Sequence, residues 1–189
     1  MTHPLQRLPN AIGLLRLASA PGVAALLLTG RTEAAFWLFL IAGLSDALDG
    51  FLARRLDAVS AFGAALDPVA DKALVNAGFL GAAATGLLPW WLAGLVLARD
   101  LAMALGAAIT HMRGPRLTIL PLAIGKATTG VLIATGSHAM AAAAWNWQTP
   151  MIAAGFAIAA GAMTLASWTA YFLSWIGELR RRRADDKSG

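Results

Sequence analysis

Ten of the 189 residues are acidic, and five of them, Asp46, Asp49, Asp67, Asp71 and Asp100, interrupt long apolar runs. A carboxylate inside a membrane costs about 3 kcal/mol or more unless it faces water, a partner or a metal, so five in so short a chain point to a shared polar cavity. Asp46 and Asp49 are three residues apart and Asp67 and Asp71 four apart, which puts each pair on one helical face. Four carboxylates drawn together repel one another and take up protons unless a divalent cation neutralises them. The chain has no Cys, and its three His are scattered at His3, His111 and His138. Ligation by oxygen alone favours Mg²⁺ or Mn²⁺ over zinc. Gly50 and Ala53 continue the first acidic face and Gly63 the second, leaving space for a ligand to lie against the backbone. Arg54 is placed to meet phosphate oxygens. The chemistry suited to this set is that of a phosphate-bearing, metal-chelated substrate.

The elements that must carry these residues are long and apolar. Hydrophobic residues make up 58% of the chain and charged ones 13%, a balance that a soluble domain of this size could not cover with polar surface. Six apolar runs can be marked, at Leu8 to Thr29, Ala34 to Ala53, Val59 to Thr85, Trp90 to Met112, Ile119 to Trp145 and Met151 to Ile176. Each is predicted to be a helix, because lipid offers an open chain's backbone no other partner. The expected fold is all-α, a polytopic membrane protein with six transmembrane helices and a polar active-site cavity open to the cytoplasmic side. It forms one domain over 1–189, with a core at 8–179 and a short basic tail at 180–189. The first run carries Arg16 in its middle and is too long for a signal core, so it is predicted to be a retained span.

Charge sets the expected orientation. Arg7, Arg54, Arg55, Arg113, Arg116, Arg180 to Arg183 and Lys187 fall on the side of the termini, against Arg31 alone opposite. The positive-inside rule then makes both termini cytoplasmic. Trp90, Trp91, Trp145 and Trp147 cluster at the opposite ends, where an aromatic belt would sit. The net charge of +5 belongs beside an anionic membrane surface, and no nucleic acid partner is expected. The expected location is the inner (cytoplasmic) membrane of a bacterium.

The stretch Asp46-Ala-Leu-Asp49-Gly50-Phe-Leu-Ala53-Arg54, followed by Gly63, Asp67 and Asp71, resembles the complete signature D-x2-D-G-x2-A-R-x8-G-x3-D-x3-D of the CDP-alcohol phosphotransferase family (phosphatidyltransferase class I). The resemblance implies a transferase acting on CDP-diacylglycerol. It implies that Asp46, Asp49, Asp67 and Asp71 hold two Mg²⁺ or Mn²⁺ ions and that Gly50, Ala53, Arg54 and Gly63 line the CDP site. It also gives Asp71 the role of general base. With the many small residues in the runs, it leads us to expect a homodimer.

Arg99 and Lys126 are cations within predicted spans, suited to an acceptor that carries its own phosphate. Asp100 adjoins Arg99 as a supporting partner, and Lys72 is expected in a structural ion pair. Leu8-Pro9-Asn10 and Arg16 resemble the opening of the phosphatidylglycerophosphate synthase and eukaryotic-type cardiolipin synthase branches, which adds Asn10 and Arg16 to the CDP site. Phosphatidylglycerophosphate synthases commonly show Ser-x-x-Gly-Lys-x-Lys-Thr in the fifth span, where this chain has Leu122, Gly125, Lys126, Thr128 and Thr129. Arg99-Asp100 and Gly125-Lys126 look more like the cardiolipin synthase branch, whose acceptor is phosphatidylglycerol. The alternative acceptor is glycerol 3-phosphate. A divalent-cation transporter, the non-enzyme alternative, accounts for the carboxylates but not for the Gly and Ala spacing.

Overall fold

A computed structural model describes the backbone of residues 7–56, 61–112 and 123–188, and the side chains of 13–45, 69–106, 108 and 124–177. Six helices follow one another: α1 (Arg7–Leu28), α2 (Thr32–Leu56), α3 (Ala61–Ala84), α4 (Trp90–Met112), α5 (Ala123–Ala144) and α6 (Pro150–Ser188). No strand occurs among the described residues.

The connections α1–α2 and α3–α4 close in the same way. The N–H of Gly30 donates to Leu27 and that of Arg31 to Leu26, while Gly86 donates to Ala83 and Leu87 to Ala82. Gly30 (φ 74°) and Gly86 (φ 77°) adopt the left-handed conformation that this helix stop requires. Asn146 does the same after α5 at φ 56°, with Trp147 donating to Ala142. The Arg113-Gly114-Pro115-Arg116 break lies outside the described residues.

α1 packs along α3 and α2, α5 along α6 and α2, and α4 between α3 and α6. The buried stripe of α1 is Arg16, Ala20, Val23 and Leu27, at the four-three-four spacing of one helical face. The centre of the core is Phe39 of α2. A Cβ at Gly78 of α3 would stand 2.7 Å from its ring, and one at Gly136 of α5 would stand 3.0 Å away. Two missing side chains therefore make the slot into which the ring fits, beside Phe79 and Met140, both fully buried.

Large apolar side chains point outward from several helices, among them Leu15, Ile41, Leu105, Ile158 and Leu173. Pro150–Gly177 is long and apolar enough to cross a membrane, and Gly13–Leu28 and Thr32–Ser45 are shorter apolar stretches. α6 differs from the expected boundary. Its 39 residues run through the arginine cluster to Ser188, where a short tail was expected from 180. Between Gly177 and Gly189 the sequence has neither Gly nor Pro and carries Arg180 to Arg183 in succession, so nothing stops the helix where the apolar stretch ends.

Candidate active site

α3 is the element that gathers the described polar residues. It is paired with α1 along the apolar contacts of Val23 and Leu27 with the α3 core residues, and this pairing brings Arg16 opposite Asp71. Arg16 Nη1 donates to Asp71 Oδ1 at 2.6 Å. The guanidinium is buried, whereas 29% of the Asp71 side chain is exposed. A cation at this depth requires its counter-charge, and the charge-assisted bond gives the carboxylate one defined orientation. Arg16, expected among the CDP ligands, thus lies against Asp71.

A second polar cluster occupies the other side of α3. Asp100 of α4 is buried, and its Oδ2 accepts a bond from Asn76 Nδ2 at 2.9 Å. Its Oδ1 accepts from Arg99 Nη1 at 3.1 Å and lies 3.7 Å from Lys72 Nζ. Arg99 Nη2 in turn donates to Ser167 Oγ of α6 at 2.9 Å. Asp100 and Lys72 therefore take up the supporting roles expected of them, and they do so with each other. Two members, Asn76 and Ser167, were not anticipated. The available signal was their polarity: each interrupts an apolar run, and Asn76 stands one turn beyond Lys72. Arg99 is buried with both terminal nitrogens engaged, and its Nε has no partner. Lys126 is exposed near the start of α5.

The side chains of Asn10, Asp46, Asp49, Gly50, Ala53, Arg54, Gly63 and Asp67 lie outside the described residues. Their backbone is helical: Asp46, Asp49, Gly50, Ala53 and Arg54 fall within α2, and Gly63, Asp67 and Asp71 within α3. The three- and four-residue spacings thus lie on continuous helices, and α2 and α3 are in contact. Among the described residues no group of three metal-ligating side chains occurs. The donor set of four carboxylates, with no Cys in the chain, fits a hard divalent cation. A cavity of about 320 Å³ lies elsewhere, lined by Leu87, Trp91, His138 and Phe156 among others. It adjoins the α3–α4 connection, about 20 Å along α3 from Asp71 at 1.5 Å per residue.

A family model described as CDP-alcohol phosphatidyltransferase matches residues 6–176, which include α1 to α5, most of α6 and both polar clusters. The chain belongs to this family. Among its relatives is a cardiolipin synthase (CMP-forming) of Streptomyces coelicolor, 31% identical over 195 residues, covering 97% of this chain and 88% of that protein. A cardiolipin synthase (CMP-forming)/mitochondrial hydrolase fusion protein of Schizosaccharomyces pombe is 37% identical over 120 residues, covering 59% of this chain. A probable phosphatidylglycerophosphate synthase of Mycobacterium tuberculosis is 32% identical over 127 residues, covering 64% of this chain. The chain spans 20% of the fusion protein and 59% of the mycobacterial one. As a member of the CDP-alcohol phosphatidyltransferase family, it carries the Arg16–Asp71 pair at the last carboxylate of the acidic signature.

Proposed function

We propose that this chain is an integral-membrane phosphatidyltransferase that moves a phosphatidyl group from CDP-diacylglycerol to the hydroxyl of phosphatidylglycerol, forming cardiolipin and releasing CMP. The observation that carries the reading is Asp71: a partly exposed carboxylate, held by a buried arginine, at the end of the acidic signature. Six transmembrane helices, cytoplasmic termini and a site facing the cytoplasm complete the proposal, supported by the apolar exterior and the arginine distribution.

In this mechanism Asp71 accepts the proton of the acceptor hydroxyl. The alcohol oxygen bonds to the phosphorus that bears the diacylglycerol, the bond from that phosphorus to the bridging oxygen breaks, and CMP departs. Arg16 keeps the Asp71 carboxylate directed while the proton moves. Gly50, Ala53 and Gly63 admit the nucleotide close to the backbone, with Asn10 and Arg54 at its polar edge. Asp46, Asp49, Asp67 and Asp71 would hold two Mg²⁺ or Mn²⁺ ions, which supply charge neutralisation for the pyrophosphate and the departing CMP. Lys126, exposed near the start of α5, supplies positive charge for the acceptor's phosphate, whereas Arg99, expected beside it, is buried and engaged by Asp100 and Ser167. The Streptomyces relative, matched over most of both chains, supports phosphatidylglycerol as acceptor. The mycobacterial relative supports glycerol 3-phosphate as a second reading.

The test uses purified protein in lipid nanodiscs with CDP-diacylglycerol and Mg²⁺, offered phosphatidylglycerol or glycerol 3-phosphate, with CMP and lipid products identified by mass. Cardiolipin and CMP are expected from the first acceptor. Product from glycerol 3-phosphate alone overturns the acceptor assignment, and absence of CMP with both overturns the transferase reading. Metal flux into sealed liposomes by such a silent protein would favour a cation transporter.

A further inference from the structure

Asp71 owes its direction to more than Arg16, because its position also depends on how α3 is turned about its own axis. Successive residues of a helix point about 100° apart. Asp71 meets α1 through Arg16, and the next residue, Lys72, therefore faces another neighbour, α4. Asn76 lies one turn above Lys72 on that same side and donates from Nδ2 both to the Lys72 carbonyl, at 2.8 Å, and to Asp100. Asp100 thus contacts α3 at two levels through its two oxygens, and through Arg99 and Ser167 it is tied to α6. Two ionic attachments on different sides of one helix fix its rotation, where one alone would act as a pivot. Side chains reach about 5 Å from a helix axis, so a turn of about 10° moves a carboxylate by about 1 Å. A displacement of that size can cost about 100-fold in rate.

We propose that Asp100 is a positioning residue: by holding Lys72 and Asn76 it sets the rotation of α3 and so the placement of the Asp71 carboxylate. The inference rests on the assignment of Asp71 to catalysis made above. It also gives the buried acid of α4 a purpose that its neighbours alone do not explain. An apolar residue at 100 would leave the Arg99 and Lys72 cations without their shared anion, yet it would not touch substrate.

The experiment compares the parent protein with Asp100→Ala, Asp100→Asn and Asn76→Ala in nanodiscs. CMP release and thermal midpoint are measured, and Mn²⁺ affinity is followed by electron paramagnetic resonance without substrate. Asp100→Ala is expected to lower kcat about 100-fold and Asn76→Ala about tenfold, with KM for CDP-diacylglycerol changed less than about threefold. Mn²⁺ binding weakens in parallel, and Asp100→Asn, which keeps an oxygen acceptor, recovers part of both losses. Parental kcat and Mn²⁺ affinity in folded Asp100→Ala overturn the proposal, as does a lowered thermal midpoint with undiminished kcat per folded molecule. Should Asp100→Ala not fold, the same two results in Asn76→Ala are decisive. A parent that releases no CMP contradicts the transferase reading, and the Mn²⁺ comparison still decides the role of Asp100.

Discussion

Arg16 on α1 and Asp71 on α3, 55 residues apart in sequence, meet at 2.6 Å, with the cation buried and the carboxylate reaching an open surface. The pair ties α1 to α3. It also couples the two side chains, so that a change at one is felt at the other.

Arg16→Ala should therefore lose on two counts. Removing one partner of this part-buried pair costs about 2 kcal/mol, so the thermal midpoint in detergent should fall, and CMP release should drop with it. Arg16→Lys, which keeps the charge but not the planar fork, should restore the midpoint better than the rate. Equal recovery of both would show that the direction of the Asp71 carboxylate is unimportant.

Asp71→Asn tests the base itself. The amide keeps the shape and can still accept from Arg16, so the protein should fold, while turnover falls by about 1,000-fold. Near-normal CMP release from this variant would remove Asp71 from the proton transfer.

The slot around Phe39 gives a prediction about stability alone. Gly78→Ala puts a methyl 2.7 Å from the Phe39 ring, closer than packing permits. Overpacking of this kind costs about 1–3 kcal/mol. Phe39→Leu in the same chain should return part of the loss, because the two changes share one space. Thermal midpoints of the two single variants and the double variant measure this, and strictly additive losses would show that the ring and the glycine do not compete.

Chelation bears on the four carboxylates. Excess EDTA should abolish CMP release, and added Mg²⁺ or Mn²⁺ should restore it. Asp46→Asn and Asp67→Asn should each need at least about tenfold more metal for half-maximal rate. Undiminished turnover in EDTA is the result that contradicts a divalent-ion site.

The sequence made helices visible where an apolar run is ended by a residue with a physical reason to end it, as Gly30 and Gly86 do by taking positive φ. It did not reveal the far end of α6. There hydropathy stops but helix propensity does not, and only the first had been used to place the boundary. The acidic residues stood out one by one because buried charge is rare. Their partners did not, since spacing along one helix says nothing of how that helix is turned toward another. Arg16 and Asp71 were both singled out, yet their contact depends on the packing of α1 on α3. Asn76 and Ser167 had no charge to draw notice, and their importance comes wholly from Asp100 and Arg99 beside them.

The tight turns at Gly30, Gly86 and Asn146 all fall between odd and even helices, so the chain is built as three helical hairpins, α1–α2, α3–α4 and α5–α6. Each hairpin has its own short closure already made. Two separately expressed pieces divided between α4 and α5 should then find each other and regain activity, whereas a cut beside Gly86 would separate α4 from α3, whose Lys72 and Asn76 meet Asp100. The glycines that end helices thus mark where the molecule must stay whole.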